Sequence, residues 1–214
     1  MIAFAYIDTT PENIAKYRAL VVGMVESIRK HMPSQEILLL TDDTTPVFKE
    51  VNAVLRIPKT MGLMTWRLKC HQVAHSVADE ILFVEPDVRL QADVMDVFAK
   101  PFDVAVTTRE DEVLLDNKRI NTPYTLGMTF SRSQEFWREA KMFCQTLDEK
   151  DQDWFGDIIS IANVVQGGKF NVEVLDGAIY NHVVNDPEKP TDAKALHYKG
   201  KRKAWLFPLV KEAA

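Results

Sequence analysis

Three short apolar runs, "IAFAYI" at residues 2–7, "EILLLTDD" at 36–43 and "EILFVEPDV" at 80–88, each run into acidic residues, and helix-like stretches lie between them. A short uninterrupted apolar run suits a strand covered on both faces. Alternation of such strands with amphipathic helices predicts an α/β protein whose mostly parallel, Rossmann-like central sheet is flanked by helices. After the first run, "TTPENIAKYRALVVGMVESIRKHMP" offers Thr10 as N-cap and Pro11 at the first helical position. It places Ile14, Tyr17, Val21, Met24, Val25 and Ile28 at near-helical spacing, giving a helix of roughly five turns. "VNAVLRIP", "FDVAVTTR" and "YTLGMTFS" read as further strands, and "DVMDVFA" as a short helix. "TWRLKCHQVAHSVAD", "SQEFWREAKMFCQTLDEK" and "DWFGDIISIANVVQ" read as longer helices, the last ending near Gly167 and Gly168. "FNVEVLDGAIYNHVV" reads as a closing β-rich piece.

A chain of 214 residues is long enough for one sizeable core, so a single domain over 1–214 is expected. The formal net charge of −5 disfavours a generic nucleic-acid coat unless positive charge is locally concentrated, and no nucleic-acid partner is expected. Cys70 and Cys144 form no C-x-x-C pair and read as reduced core thiols. The first apolar run has no basic residues before it and leads straight into a helix start, so it reads as a strand and not a leader, and a cytoplasmic protein is expected. Against this acidic background "HYKGKRKAW", residues 197–205, stands out: five of its nine residues are His, Lys or Arg.

Open α/β sheets collect ligands beyond the carboxyl ends of their strands. Asp8, Asp42, Asp43, Glu85 and Asp87 end the strands here. Glu85 and Asp87 stand at i and i+2, which in an extended chain project to one side, and Pro86 stiffens the connection. Paired carboxylates suit a hard divalent ion, Mg2+ or Mn2+, although a solvated acidic turn explains the pair equally well. Asp42 and Asp43 read as turn caps. His31, His71, His75 and His182 read as structural, and Trp137 and Phe143 as core. Trp66 and Trp154 lie beside other candidate site residues, where an aromatic face could stack on a ligand.

"ILFVEPDVRL" resembles the hydrophobic strand and D-x-D metal motif of nucleotide-sugar glycosyltransferases with the GT-A fold, with Glu85 in place of the first Asp. "HYKGKRKAW" resembles the closing H-x-x-G-x-x-K-P-W of the retaining, glycogenin-like group that includes lipopolysaccharide galactosyltransferases. It matches at His197, Gly200, Lys203 and Trp205, with Ala204 in place of Pro. The resemblance implies a metal set of Glu85, Asp87 and His197, with Lys203 and Gly200 against the donor diphosphate. In "AYIDTT" it implies that Ile7, Asp8 and Thr9 meet the base and ribose, and in "TWRLKC" that Arg67 approaches the donor. "DQD" supplies Asp151, Gln152 and Asp153 on the sugar side, without the Asn usually found a few residues later. In "YTLGMTF", Thr125 stands where the family has Asn. The basic and aromatic segment 197–214 would close the donor site.

The function implied is metal-dependent transfer of a hexosyl unit from a nucleotide-diphosphate sugar, UDP-sugar favoured, to a hydroxyl of a glycan, lipid-linked or protein acceptor, with retention. Lys203 would stabilise charge on the departing diphosphate. Two other readings stand beside it: a sugar-phosphate nucleotidyltransferase, for which "DTTPEN" lacks the Gly-rich signature loop, and a non-catalytic nucleotide-sugar-binding module. "REDEVLLDNKRINTP" is the expected acceptor loop. "KGKRKAWLFPLVK" is also of a composition that rests on an anionic membrane face, the alternative being that Trp205, Leu206 and Phe207 pack back onto the domain.

Overall fold

The computed structural model describes residues 1–109, 113–115, 118–120 and 122–207. Residues 110–112, 116–117 and 121 of the acceptor loop expected at 109–123, and the tail 208–214, lie outside the described residues. In chain order the elements are β1 (Ile2–Ala5), α1 (Pro11–His31), β2 (Ile37–Thr41), β3 (Ala53–Arg56), α2 (Leu63–Ala74), β4 (Ile81–Val84) and β5 (Val88–Leu90). There follow β6 (Val104–Thr108), β7 (Val113–Leu115), β8 (Lys118–Ile120), β9 (Tyr124–Ser131), α3 (Gln134–Cys144), α4 (Glu149–Asp153) and α5 (Gly156–Gln166). The last are β10 (Val172–Leu175), α6 (Gly177–Tyr180), β11 (His182–Val183) and β12 (Ala195–His197).

Seven strands form the central sheet in the order β10-β6-β9-β4-β1-β2-β3. Each of its strands except β9 runs in one direction; β9 is antiparallel to both of its neighbours, β4 and β6. The mostly parallel α/β sheet expected from the alternation is therefore present. Period-2 alternation divides the core between the two faces of the sheet. Ile2, Phe4, Leu39 and Leu82 pack with Val21, Met24 and Ile28 of α1 on one face. Ala3, Leu38, Leu40 and Phe83 pack with Trp66, Trp137 and Ile161, from α2, α3 and α5, on the other.

A second sheet of three strands, β11-β12-β5, adjoins the carboxyl end of β4, and β7 pairs with β8 as a hairpin. The small sheet is the part that matters for the site. β12 pairs antiparallel with β5, placing His197 opposite Val88, and Tyr198 N–H donates to Asp87 O at 3.0 Å. The far end of the chain is thereby stitched to the acidic turn.

Several boundaries depart from the sequence expectations. With 21 residues, α1 is nearer six turns than five. The helix expected to continue from 133 to 150 ends at Cys144 and restarts at Glu149. Tight turns of 145–147 close it, and Thr146 Oγ1 donates to Phe143 O at 2.7 Å, a local bond that competes with helix continuation. α5 starts only at Gly156, because Phe155 takes a left-handed φ of 70°. "DVMDVFA" forms a 3-10 helix over Met95–Ala99. The β-rich reading of 170–184 misses α6, which the Asp176 carboxylate caps by accepting from Ala178 N–H at 2.9 Å. Among the described residues no helix is long and apolar enough to cross a membrane.

Candidate active site

β4 delivers the first carboxylate. Glu85 N–H donates to Gly127 O at 2.9 Å, carrying the β4–β9 ladder one residue beyond the strand. The chain then turns: Val88 N–H returns to Glu85 O at 3.0 Å around Pro86. Glu85 and Asp87 thus flank a turn and are not on one face of an extended strand. They still converge, because β12 brings His197 between them, with Nε2 at 3.3 Å from Glu85 Oε2 and 3.5 Å from Asp87 Oδ1. One ligand atom from each of the three residues lies within 4.8 Å of the others.

The donor set fits a divalent ion. Adjacent ligands of an octahedral ion held at about 2.1 Å lie roughly 3 Å apart, close to the spacing of the imidazole and the carboxylates. His197 is also buried, and its Nε2 is a buried atom without a hydrogen-bond partner among the described residues. Such an orphan calls for an explanation, and a ligand atom facing two carboxylates supplies one.

Cations brace the acids. Arg67, one turn into α2, donates to Glu85 Oε1 at 2.5 Å and to Asp157 Oδ2 at 3.0 Å. Lys203, from the 3-10 helix Gly200–Leu206, approaches Asp87 Oδ2 at 3.0 Å. Burial alone would raise the pKa of Glu85, but Arg67 and His197 outweigh it and hold the carboxyl well below its usual range. Burial likewise opposes ionisation of Asp87, and His197 and Lys203 reverse the effect and lower it. For His197, burial lowers the pKa, but Asp87 and Glu85 dominate and raise it to about 9. Asp157 goes the other way: burial raises its pKa despite the Arg67 contact.

The remaining expected site residues are distributed as follows. Asp8 lies just beyond β1, where its carboxylate accepts from Tyr6 Oη at 2.7 Å and from Arg18 at 3.4 Å. Its N–H donates to Thr45 Oγ1 at 2.9 Å, with Ile7 and Thr9 on either side. Gly200 has φ 62°, and among the described residues, its chain neighbours aside, no atom lies within 4 Å of where a Cβ would stand. In "DQD", Gln152 Nε2 donates to Leu147 O at 2.8 Å, and Asp153 Oδ1 accepts from Leu63 N–H at 2.8 Å, capping α2 from a distance. Through Thr65 Oγ1 and Leu63 N–H, Gln152 and Asp153 join α4 to α2. Asp151 lies half-buried in the same segment.

Trp66 is fully buried, with Nε1 donating to Ile57 O at 2.8 Å, and so presents no face to a sugar; Trp154 is 61% exposed. Asp42 makes the expected turn, accepting from Thr45 N–H at 2.8 Å. Phe207 contacts Lys16, 5.6 Å from its ring centre, while Trp205 is exposed. Asp157 and Asn181 were not anticipated. The signal for Asp157 was a carboxylate at the start of the otherwise apolar "IISIANVV", since a charge there needs a partner.

No family model matches the chain, and no curated protein sequence matches it. Solved structures do. The galactosyltransferase LgtC, in complex with donor and acceptor sugar analogues, is 13% identical over 94% of this chain and 87% of its own, with a TM-score of 0.52. A glycosyltransferase involved in glycosylation of the major capsid of PBCV-1 is 13% identical over 96% of this chain and 97% of its own, with a TM-score of 0.65. The glycosyltransferase GlyE of Streptococcus pneumoniae TIGR4 is 15% identical over 95% of this chain but only 55% of its own, with a TM-score of 0.59. The chain has the GT-A fold of these glycosyltransferases.

Proposed function

We propose that the protein is a metal-dependent glycosyltransferase that moves a hexosyl unit from a nucleotide-diphosphate sugar, in the first instance a UDP-sugar, to a hydroxyl acceptor with retention. The observation that carries this reading is the convergence of Glu85, Asp87 and His197, with Lys203 beside them, at the carboxyl end of β4 in a fold shared with glycosyltransferases. A divalent ion held by Glu85, Asp87 and His197, Mn2+ or Mg2+, would offset the negative charge of the donor diphosphate.

Arg67 fixes the Glu85 carboxylate from the opposite side, and Asp157 in turn fixes Arg67. Gly200 lets the backbone come close to phosphate oxygens, since its left-handed φ and the open space around it leave no side chain in the way. Lys203 exchanges part of its contact with Asp87 for the diphosphate as charge grows on the leaving group. Ile7, Asp8 and Thr9 border the base and ribose. Asp151 positions the transferred sugar, and Gln152 and Asp153 act through α2 by holding the helix that carries Arg67. In the reaction the bond from the anomeric carbon to the diphosphate oxygen breaks, and the acceptor oxygen bonds to the same face of that carbon. The acceptor proton passes to the departing diphosphate, so a strong protein base is not required.

The test is release of nucleoside diphosphate from UDP- and GDP-sugars by the purified protein with Mn2+ or with chelator. Metal-dependent release that Asp87→Asn lowers by roughly 100-fold or more supports the reading. Absence of both turnover and nucleotide-sugar binding overturns it in favour of neither enzyme nor donor-binding module. Pyrophosphate release from a nucleoside triphosphate and a sugar phosphate points instead to nucleotidyl transfer. Trp205, 45% exposed near Lys199, Lys201 and Arg202 in sequence, supports peripheral contact of a cytoplasmic protein with an anionic membrane. Failure to sediment with phosphatidylserine vesicles removes that contact.

A further inference from the structure

We infer that Asn181 is the positioning residue for His197, accepting the imidazole Nδ1–H at its Oδ1 so that, in the neutral ring that binds a metal, Nε2 carries the lone pair and is aimed at Glu85 and Asp87. This rests on the metal-site reading above and adds to it the group that sets the tautomer. Two buried atoms motivate it: neither His197 Nδ1 nor Asn181 Oδ1 has a hydrogen-bond partner among the described residues. They share one hollow. A Cβ placed on Gly127 would come within 2.3 Å of Asn181 Oδ1 and 2.5 Å of His197 Nδ1, so both atoms lie against the same bare Cα of β9. As the side chains stand no hydrogen bond joins the two atoms, and a rotation that closes the gap across Gly127 would give both a partner.

The orientation of the amide is dictated from behind. Thr107 Oγ1 donates to Thr125 O at 3.0 Å, leaving that hydroxyl only acceptor capacity towards Asn181. Asn181 Nδ2 therefore faces Thr107, donating at 2.8 Å, and Oδ1 is the atom turned towards the imidazole. Thr107 stands where the β6–β9 register shifts after Val106, an irregularity that re-aims side chains. Asn181 also directly precedes β11, whose pairing with β12 sets Val183 opposite His197. A ligating imidazole whose second nitrogen is held by an acceptor keeps one tautomer and one ring orientation.

The experiment measures Mn2+ affinity of the full chain by calorimetry, without donor, for wild type, Asn181→Leu and Asn181→Asp. Expected are a roughly 10- to 100-fold weaker Kd for Asn181→Leu and recovery to near wild type for Asn181→Asp, which retains an acceptor oxygen. An Asn181→Leu protein that binds Mn2+ as tightly as wild type overturns the inference alone. A wild type that binds neither Mn2+ nor Mg2+ overturns the metal reading and takes this inference with it. Long-range 1H–15N spectra of wild type with Mg2+ decide the matter even if the leucine variant fails to fold. A ring protonated at Nδ1 alone supports the inference, and a proton on Nε2, alone or together with Nδ1, overturns it.

Discussion

Lys203 shows how one side chain can serve two partners. In the structure its ammonium meets the buried Asp87, and in the proposed reaction it meets the diphosphate. Lys203→Met is therefore expected to lower the turnover number for donor by roughly 100-fold, as loss of a group aimed at developing charge does. Steady-state assays at saturating donor check it, and an unchanged turnover number would remove Lys203 from catalysis. His197 has a pH signature of its own in metal-free protein. Its pKa is raised to about 9, so its stabilising contribution is complete below the unfolded value of 6.5 and is lost as pH rises through about 9. The two carboxylates act in the opposite sense: their contribution is present above the usual carboxylate range and is lost as pH falls below it, because their pKa values are lowered. Melting curves in chelator should show wild type losing its advantage over His197→Gln between pH 6.5 and about 9.

Single side chains also hold whole segments in place. Asp153 satisfies the Leu63 N–H across 90 positions of sequence, so it fixes the start of α2 and with it the height of Arg67 above Glu85. Asp153→Ala should destabilise the fold by about 1 kcal/mol, the usual effect of a lost helix cap, measured as a lower urea midpoint at unchanged m. Phe155 makes the same junction from the other side. Its left-handed φ reverses the chain so that α5 begins with Asp157 facing Arg67. A bulky residue in that conformation is strained, and the contacts of this junction sustain it. In β9, Gly127→Ala pushes a methyl into His197 and Asn181 at 2.5 Å and 2.3 Å. Overpacking of this kind costs about 1–3 kcal/mol, and Mn2+ affinity should fall together with the urea midpoint.

The acidic cluster, its cations and the small sheet join residues 85–90 to residues 195–203, so ligand binding should report on the stability of the whole. A ligand that binds only the native state adds about 2.7 kcal/mol at 100 times its Kd. For a chain of 214 residues that is roughly 5–10 °C in Tm. UDP with Mn2+ is expected to give a shift of this size, and chelator to abolish it. A thermal-shift screen over nucleoside diphosphates would identify the base by the largest increment.

The direction of the sheet, α1 and the strand that carries Glu85 were legible in the residues, because apolar runs and helical spacing are local patterns. So was the identity of Glu85, Asp87, His197 and Lys203 as candidates, because their motifs are short. The break after Cys144, the helix at Gly177–Tyr180, the ion pair from Arg67 to Asp157 and the facing of Asn181 to His197 were not. Each depends on contacts closed by the fold or on a competing local hydrogen bond that no hydrophobic period records. A buried charge or amide declares that it needs a partner; which partner it receives is decided by strand register and by the space that Gly127 leaves open.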